Sequence, residues 1–244
     1  MAIPTSISRL AAYYTRHGVA ATIRRGVLAM TRGLLSNRMV LLYCDLAKQT
    51  ASPADLPSPV RVELKRRFAE LSPPDLEQMT TFWHPKQAYR NVKERFDKGA
   101  LLWFIKCEDR LAAYGWTLQG RTIEPHYFPL GKGDVHLFDF HVFPEYRGKG
   151  LNPFLVTHIL RNLAAYGAGR AFIEAAEWNK AQLSSLSRTP FRRLGLARKL
   201  TIFRHTIVCW AEGDIARQAA KDERHKRPVA AAEGNTSDVS RCVP

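Results

Sequence analysis

Apolar and polar residues follow the periods of strands and helices between residues 60 and 210. Runs rich in β-branched and aromatic residues predict strands at 60–64, 101–107, 111–118, 135–143 and 170–176, and a final hairpin at 199–210. Helical signals predict helices from Ser72, over 85–98, from the turn near 150 to about Tyr166, and from Asn179 to about Ser187. Hairpins followed by one strand-turn-helix-strand unit indicate an α/β (α+β) fold, with a mixed, mostly antiparallel central sheet flanked by helices.

The chain divides into four segments by composition and pattern. Residues 1–50 are predicted to form a basic helical extension with a short apolar strand at 38–44, and the proline-containing residues 51–59 a linker. The compact domain is predicted to span residues 60–210. Residues 211–244 contain too few large apolar side chains for a core, so we expect a disordered tail.

Positive charge is the strongest compositional signal, with a formal net charge of +15. Such a field attracts phosphate-bearing ligands, nucleic acid, anionic lipid or acidic protein. Residues 6–36 combine an apolar stripe with an arginine stripe, which predicts a basic amphipathic helix. Packing of the apolar stripe on the sheet is the favoured interpretation, and peripheral association with an anionic membrane is the alternative. Aromatics interleaved with basic residues are not evident, which disfavours a nucleic-acid-binding module.

Neither a membrane-spanning run nor a secretory signal is recognisable in the sequence. We therefore expect a cytoplasmic protein, with the inner membrane surface as the place of any peripheral association. The cysteines are far apart and show no CxxC pairing, which is typical of reduced thiols, and they predict no structural metal. The oligomeric state is left open by the sequence.

The stretch FPEYRGKGLNPFLV, residues 143–156, places a flexible basic turn between an apolar strand and an apolar helix. A helix N-terminus exposes unpaired backbone N–H groups and a partial positive charge. Glycines let a ligand approach that backbone closely, so the turn suits a phosphate group. The alternative is an ordinary strand-to-helix turn in which glycine only supplies unusual backbone angles.

The sequence VxPxYRGKGL resembles motif A of the GCN5-related N-acetyltransferases, the GNAT family, usually written RxxGxG/A. Arg147 takes the first place and Gly150 the fourth. HLFDFHV looks like the family's fourth strand and RAFIEAA like its fifth. The resemblance covers roughly residues 60–210 and implies an acyl-CoA acyltransferase fold that uses acetyl-CoA or another acyl-CoA as co-substrate.

By this resemblance the pyrophosphate of the co-substrate is held by backbone amides of the turn, and pantetheine runs along the fourth strand. The implied cofactor-binding residues are Phe140, Val142, Arg147, Gly148, Lys149, Gly150, Leu151, Asn152 and Asn179. Two residues depart from the family pattern. Asn152 stands where Gly or Ala is usual, and Phe191 stands where many members have a tyrosine that protonates the departing thiolate.

Four polar residues near the predicted cleft are candidates for the general base: Asp139, His136, His141 and Glu174. Strict alternation along the fourth strand places Asp139 and His141 on one face and His136 on the other, and a bulge would break that phase. A polar residue in an apolar central strand needs a partner or a task. The alternative is that Asp139 pairs with an arginine or a backbone donor and that both histidines are satisfied core residues.

The leading hypothesis is an acyl-CoA-dependent N-acetyltransferase that transfers the acetyl group directly to an amine of a small molecule or amino sugar. Glu124, His126 and Tyr127 are expected to contribute to acceptor selection. The rival hypothesis is a catalytically silent module that binds CoA, or docks on a membrane or protein, through the same fold. Phe191 and the basic helix motivate this rival.

Overall fold

The computed structural model describes residues 38–48, 60–81, 85–124, 126–202 and 205–212, together with positions 18, 19 and 23. The predicted amphipathic helix, apart from those three positions, the whole of the predicted linker and the predicted tail beyond residue 212 lie outside these residues. None of the helices within the described ranges is both long and apolar enough to cross a bilayer.

Eight strands form one sheet in the order β2-β3-β4-β5-β6-β1-β7-β8. Every neighbouring pair is antiparallel except β5 and β6, which run parallel. The mixed, mostly antiparallel sheet expected from the sequence is therefore confirmed. The strands are β1 (Arg38–Asp45), β2 (Val60–Lys65), β3 (Leu101–Cys107), β4 (Arg110–Gln119), β5 (Asp134–Val142), β6 (Arg170–Ala176), β7 (Arg192–Ile202) and β8 (His205–Glu212).

Strand β1 lies in the middle of this sheet, between β6 and β7. It pairs antiparallel with both neighbours, with Leu41 opposite Glu174 on one side and Gly195 on the other. The sequence predicts the strand but assigns it to the extension ahead of residue 60. Cys44 of β1 and Leu46, just after the strand, are buried in the main core. The sheet therefore begins at residue 38.

Four α-helices cover the two faces of the sheet within the described residues: α1 (Pro73–Thr81), α2 (Pro85–Asp97), α3 (Leu151–Ala165) and α4 (Lys180–Leu186). Helix α3 buries Leu155, Ile159 and Leu163 at the spacing of one helical face. Its core also includes residues of β3 to β6 and Leu186 of α4.

Helices α1 and α2 cover part of the opposite face, where Met79, Val92 and Phe96 pack on β3 and β4. Elsewhere, residues of the segment 126–130 pack against side chains of β1, β6, β7 and β8. The two faces are thus covered by different parts of the chain.

The ends of several elements differ from the predicted ones. Strand β7 starts at Arg192, seven residues before the predicted hairpin, because Leu194, Leu196 and Ala197 are buried against the sheet. Strand β8 continues to Glu212 and so includes the first two residues of the predicted tail. The two-residue turn Glu108–Asp109 between β3 and β4 has positive φ at both positions, the geometry of a tight hairpin.

Candidate active site

The parallel strands β5 and β6 separate after three residue pairs. Asp134, Val135 and His136 lie opposite Arg170, Ala171 and Phe172, and the pairing ends there. Beyond His136, β5 still pairs with β4 on its other side, as far as Val142. The sheet therefore opens between β5 and β6 on the side toward which both strands run.

A bulge interrupts β5 inside this opening. Trp116 of β4 lies opposite Phe138, whereas Tyr114 lies opposite His141, so β5 has one extra residue. Asp139 occupies the bulge with φ of 50°. A Cβ atom on Gly115 would lie 2.3 Å from the Phe140 ring, so only glycine leaves room for that ring.

The bulge changes which face each β5 residue occupies. Before it, His136 stacks on Phe138, and after it His141 stacks on Tyr114, which shares a cluster with Phe138. Phe140 and Val142 instead pack against the core beneath α3. Strict alternation, which separates His136 from His141, is therefore wrong beyond Phe138, and the bulge is the reason.

The turn after β5 brings its backbone to the N-terminus of α3. Gly148 and Gly150 have φ of 78° and 75°, and Gly150 is the residue that precedes the first turn of the helix. A Cβ atom at either glycine would meet nothing within 4 Å, so the backbone is accessible from that side. The Arg147 side chain bends back and donates from Nε to the Val142 carbonyl oxygen at 3.1 Å. This exposed, positively charged turn fits a phosphate-bearing ligand.

The side chains beside the turn have identifiable partners. Asn152 donates from Nδ2 to the Ser185 hydroxyl at 2.8 Å, which ties the start of α3 to α4. Asn179 caps α4 by accepting from the Gln182 amide at 3.2 Å. The Lys149 ammonium lies 5.2 Å from the centroid of the Tyr146 ring. Leu151 packs on the core beneath α3, so the side chain at this position supports the turn.

A polar cluster lies at the point where β5 and β6 separate, formed by His126, His136 and Glu174. His136 Nε2 is 2.8 Å from Glu174 Oε2, and His126 Nε2 is 3.6 Å from the same oxygen, too far for a hydrogen bond. Because side chains two residues apart share a face, Glu174 reaches His136 diagonally from beyond Phe172. We call these three residues the His-Glu cluster.

The cluster is shielded from solvent. The side chains of His126, His136 and Glu174 are 5%, 6% and 20% exposed. Burial alone would raise the pKa of Glu174, but the two imidazoles outweigh it and hold that pKa well below its usual range. Burial lowers the pKa of His126, although Glu174 opposes this effect. The cluster therefore holds a carboxylate beside imidazoles, with His126 favoured in its neutral form.

The other two candidate bases have different surroundings. Asp139 forms an ion pair with Arg95 of α2, and that guanidinium also lies over the rings of Trp116 and Phe138. His141 lies between Tyr114 and Phe143. Burial and then the charge of Arg147 lower the pKa of His141.

A pocket of about 390 Å³ adjoins the His-Glu cluster. His126 is common to both, since it lines the pocket and its ring centroid is 5.1 Å from that of His136. Thr206 and Val208 of β8 form part of the wall. Of the residues expected to select the acceptor, His126 and Tyr127 line the pocket, whereas Glu124 is exposed and does not.

The structure brings His136 and Glu174 together and separates Asp139 from them by pairing it with Arg95. Sequence reasoning gave an arginine partner of Asp139 as an alternative but did not identify it as Arg95, and it did not connect His126 with His136 and Glu174. Residues far apart in the chain form these contacts, and local spacing carries no signal for them. Phe191 is buried in the core beneath α3.

The chain is similar to known proteins of one family. Residues 66–185 match the model of a family described as the acetyltransferase (GNAT) family. No curated protein sequence matches the chain significantly.

Three solved structures illustrate the similarity. An acetyltransferase from the GNAT family of Colwellia psychrerythraea is 13% identical over 71% of this chain and 55% of its own, with a TM-score of 0.48. An acetyltransferase of that family from Novosphingobium aromaticivorans is 16% identical over 65% and 61%, with a TM-score of 0.42. A Bacillus subtilis acetyltransferase in complex with CoA is 20% identical over 55% and 76%, with a TM-score of 0.42. The chain thus spans little more than half of the Colwellia protein.

Proposed function

Residues 66–185 form an acetyltransferase domain of the GNAT family, and we propose that the protein uses it to transfer an acetyl group from acetyl-CoA directly to an amine of a small molecule or amino sugar. The observation that carries this proposal is the opening between β5 and β6. It has a glycine turn suited to phosphate at one side and a buried imidazole-carboxylate pair at its apex.

The turn supplies the binding part of the proposal. Acetyl-CoA brings an activated thioester and a pyrophosphate, and the backbone from Gly148 to Asn152 would hold the pyrophosphate at the start of α3. The bulge leaves Phe140 and Val142 lining the side of β5 that faces α3. The resulting restriction of the thioester and the amine to one opening is the main source of rate enhancement expected here.

The His136 and Glu174 pair supplies the proton chemistry. An ionised carboxylate can only accept hydrogen bonds, so His136 donates to Glu174 from Nε2. The basic lone pair of a neutral His136 ring is then on Nδ1, which has no hydrogen-bond partner among the described residues. We propose that Nδ1 is the general base. It accepts the proton that the acceptor's ammonium group must lose before the amine can attack the thioester carbonyl. Glu174 stabilises the imidazolium that results.

Asp139 is less suited to this role because Arg95 already neutralises its charge. The leaving group needs no side-chain acid. A thiol has a pKa near 8.5, so CoA can depart as the thiolate, which fits the presence of Phe191 in the core. The nitrogen-carbon bond forms as the carbon-sulfur bond breaks. The first proton, lost from the ammonium group, is then on His136, and the second, lost from the acylated nitrogen, passes to the departing CoA thiolate or to water.

The proposed acceptor side is the pocket lined by residues 121–122 and 126–130 and by Thr206 and Val208 of β8. His126 lies between this pocket and His136, which places the pocket next to the proposed base. Its wall mixes aromatic rings such as Tyr127 with polar groups such as Thr206. This combination suits a small polar molecule carrying an amine.

The test measures release of CoA thiol from acetyl-CoA with a panel of amino acids, polyamines and amino sugars, alongside calorimetric binding of CoA. We expect CoA to bind and at least one class of amine to release thiol above the rate of hydrolysis. Binding of CoA without turnover on the full panel would favour the catalytically silent module. Failure of CoA to bind would overturn the proposal at its first step.

A further inference from the structure

His126 is a buried imidazole without a hydrogen-bond partner. Its side chain is 5% exposed, and neither Nδ1 nor Nε2 bonds to any described residue. A buried polar group left unsatisfied costs on the order of 1–3 kcal/mol. The rings of Tyr127, Phe128 and Phe172 lie against it, and the carboxylate of the cluster, Glu174 Oε2, is 3.6 Å from Nε2, beyond hydrogen-bond distance. This arrangement is accounted for if the ring serves a ligand.

The neighbours of His126 are themselves metal-ligating groups. One ligand atom each from His126, His136 and Glu174 can be chosen so that all three lie within 4.8 Å of one another. Ligands of a tetrahedral zinc ion, at bonds of about 2.0–2.1 Å, are about 3.3 Å apart. The two distances to Glu174 Oε2, 2.8 Å and 3.6 Å, lie on either side of that separation. The distances from both imidazoles to the carboxylate are therefore close to those between the ligands of a metal ion.

We infer that His126, His136 and Glu174 bind a divalent transition metal ion, with zinc the best match to two imidazoles and one carboxylate. The carboxylate supplies charge compensation in a buried site, and the imidazoles supply nitrogen ligands of borderline softness. Three protein ligands leave a fourth coordination position open to water or to a ligand. The pocket beside His126 gives that position a route to solvent.

Metal binding has a consequence for acetyl transfer, which rests on the proposed function. A metal ion on His136 Nε2 displaces the hydrogen bond to Glu174. The neutral ring must then carry its proton on Nδ1, so the nitrogen assigned as base loses its lone pair. The ion and the ammonium group of the acceptor thus compete for the same imidazole, and zinc inhibits the reaction reversibly.

The experiment titrates the full chain, first stripped with a chelator, with zinc by calorimetry and with Co²⁺ by visible absorption. We expect one ion per chain and the absorption of a four-coordinate Co²⁺ site. Loss of an outer-shell partner typically costs about 10–100-fold in affinity, so His126→Phe, which removes a ligand, should cost more than about 100-fold. The phenyl ring suits the aromatic surroundings and keeps the site filled.

His158→Gln is the matched control, because His158 lies against Trp103 and Phe154, away from the cluster, and its loss should leave zinc affinity unchanged. Equal affinity in wild type and His126→Phe, or absence of binding, would overturn the metal site whether or not acetyl transfer is observed. If the protein transfers acetyl groups, the zinc concentration that halves the rate, measured with the acceptor far below its KM, should match the dissociation constant. Metal binding without inhibition would keep the site and overturn the competition.

Discussion

The glycine turn at 147–150 and the His-Glu cluster lie at the same opening but are built in opposite ways. The turn is exposed, continuous in sequence and functional through its backbone, with Gly148 and Gly150 at positive φ. The cluster is buried, assembled from three separate segments of the chain and functional through its side chains. A backbone site needs only a permissive local sequence, whereas a side-chain site needs the whole sheet to bring its members together.

The largest expected effect is on the side-chain site. His136→Asn removes the proposed base and should lower kcat by about 10²–10⁴-fold, the range for general bases, while the dissociation constant for CoA stays unchanged. Steady-state kinetics and calorimetry on the same preparations separate the two quantities. Asp139→Asn, on the same strand, should lose less than tenfold because Arg95 holds that carboxylate. If kcat falls more in Asp139→Asn than in His136→Asn, Asp139 and not His136 is the general base.

The second test concerns the glycine turn and compares two variants that share the same backbone strain but differ in charge. Gly150→Glu and Gly150→Gln both place a side chain at φ of 75°, at a shared cost of about 1–2 kcal/mol. Only Glu adds a negative charge beside the proposed phosphate position, so it should weaken CoA binding about tenfold more than Gln does, or roughly 1.4 kcal/mol. Calorimetric titration of CoA into both variants measures this difference. Equal affinities would mean that the turn holds no phosphate.

Acid stability tests the charge state of the cluster. Burial alone would raise the pKa of Glu174, but the two imidazoles hold it below the usual 4.5. Below about pH 4.5 the unfolded chain therefore binds a proton that the folded chain does not, and stability falls as the pH falls. Urea unfolding in metal-free buffer gives the free energy of unfolding at each pH between about 5.5 and 3.5. Plotted against pH, this free energy should have a slope up to about 1.4 kcal/mol per pH unit shallower in Glu174→Gln than in the wild type. A slope equal to that of the wild type would contradict an ionised Glu174.

The smallest expected effect concerns the unusual asparagine of the turn. Asn152→Ala removes the hydrogen bond to Ser185 and should cost about 1 kcal/mol of folding free energy. Affinity for CoA should change less than twofold, because the backbone N–H at this position remains. A double-mutant cycle with Ser185→Ala isolates the hydrogen bond, and additive effects would show that it contributes nothing.

The parts of the molecule that the sequence predicts well are those with local signals. The hairpin turn at Glu108–Asp109, the cap Asn179 and the helix after Gly150 each follow from a few adjacent residues. Periodicity failed at Asp139, because one inserted residue exchanges the faces of all that follow.

The contacts that sequence reasoning could not supply are those between distant residues. Arg95 reaches Asp139 from α2, and His126 reaches the cluster from a segment with little regular structure. The same holds for the place of β1, since an apolar run at 38–44 does not tell which strands will flank it. Such pairings depend on the relative position of complete elements.

The central place of β1 also makes it the link between two parts of the sheet. Strands β7 and β8 are hydrogen-bonded to the rest of the described sheet only through β1, although they can pair with each other as a local hairpin. The partners of β1 come more than a hundred residues later in the chain, so closing this contact carries a large entropy cost. The β7-β8 hairpin is therefore joined to the other strands only when β1 pairs with both β6 and β7, and the pocket wall that β8 provides depends on both contacts.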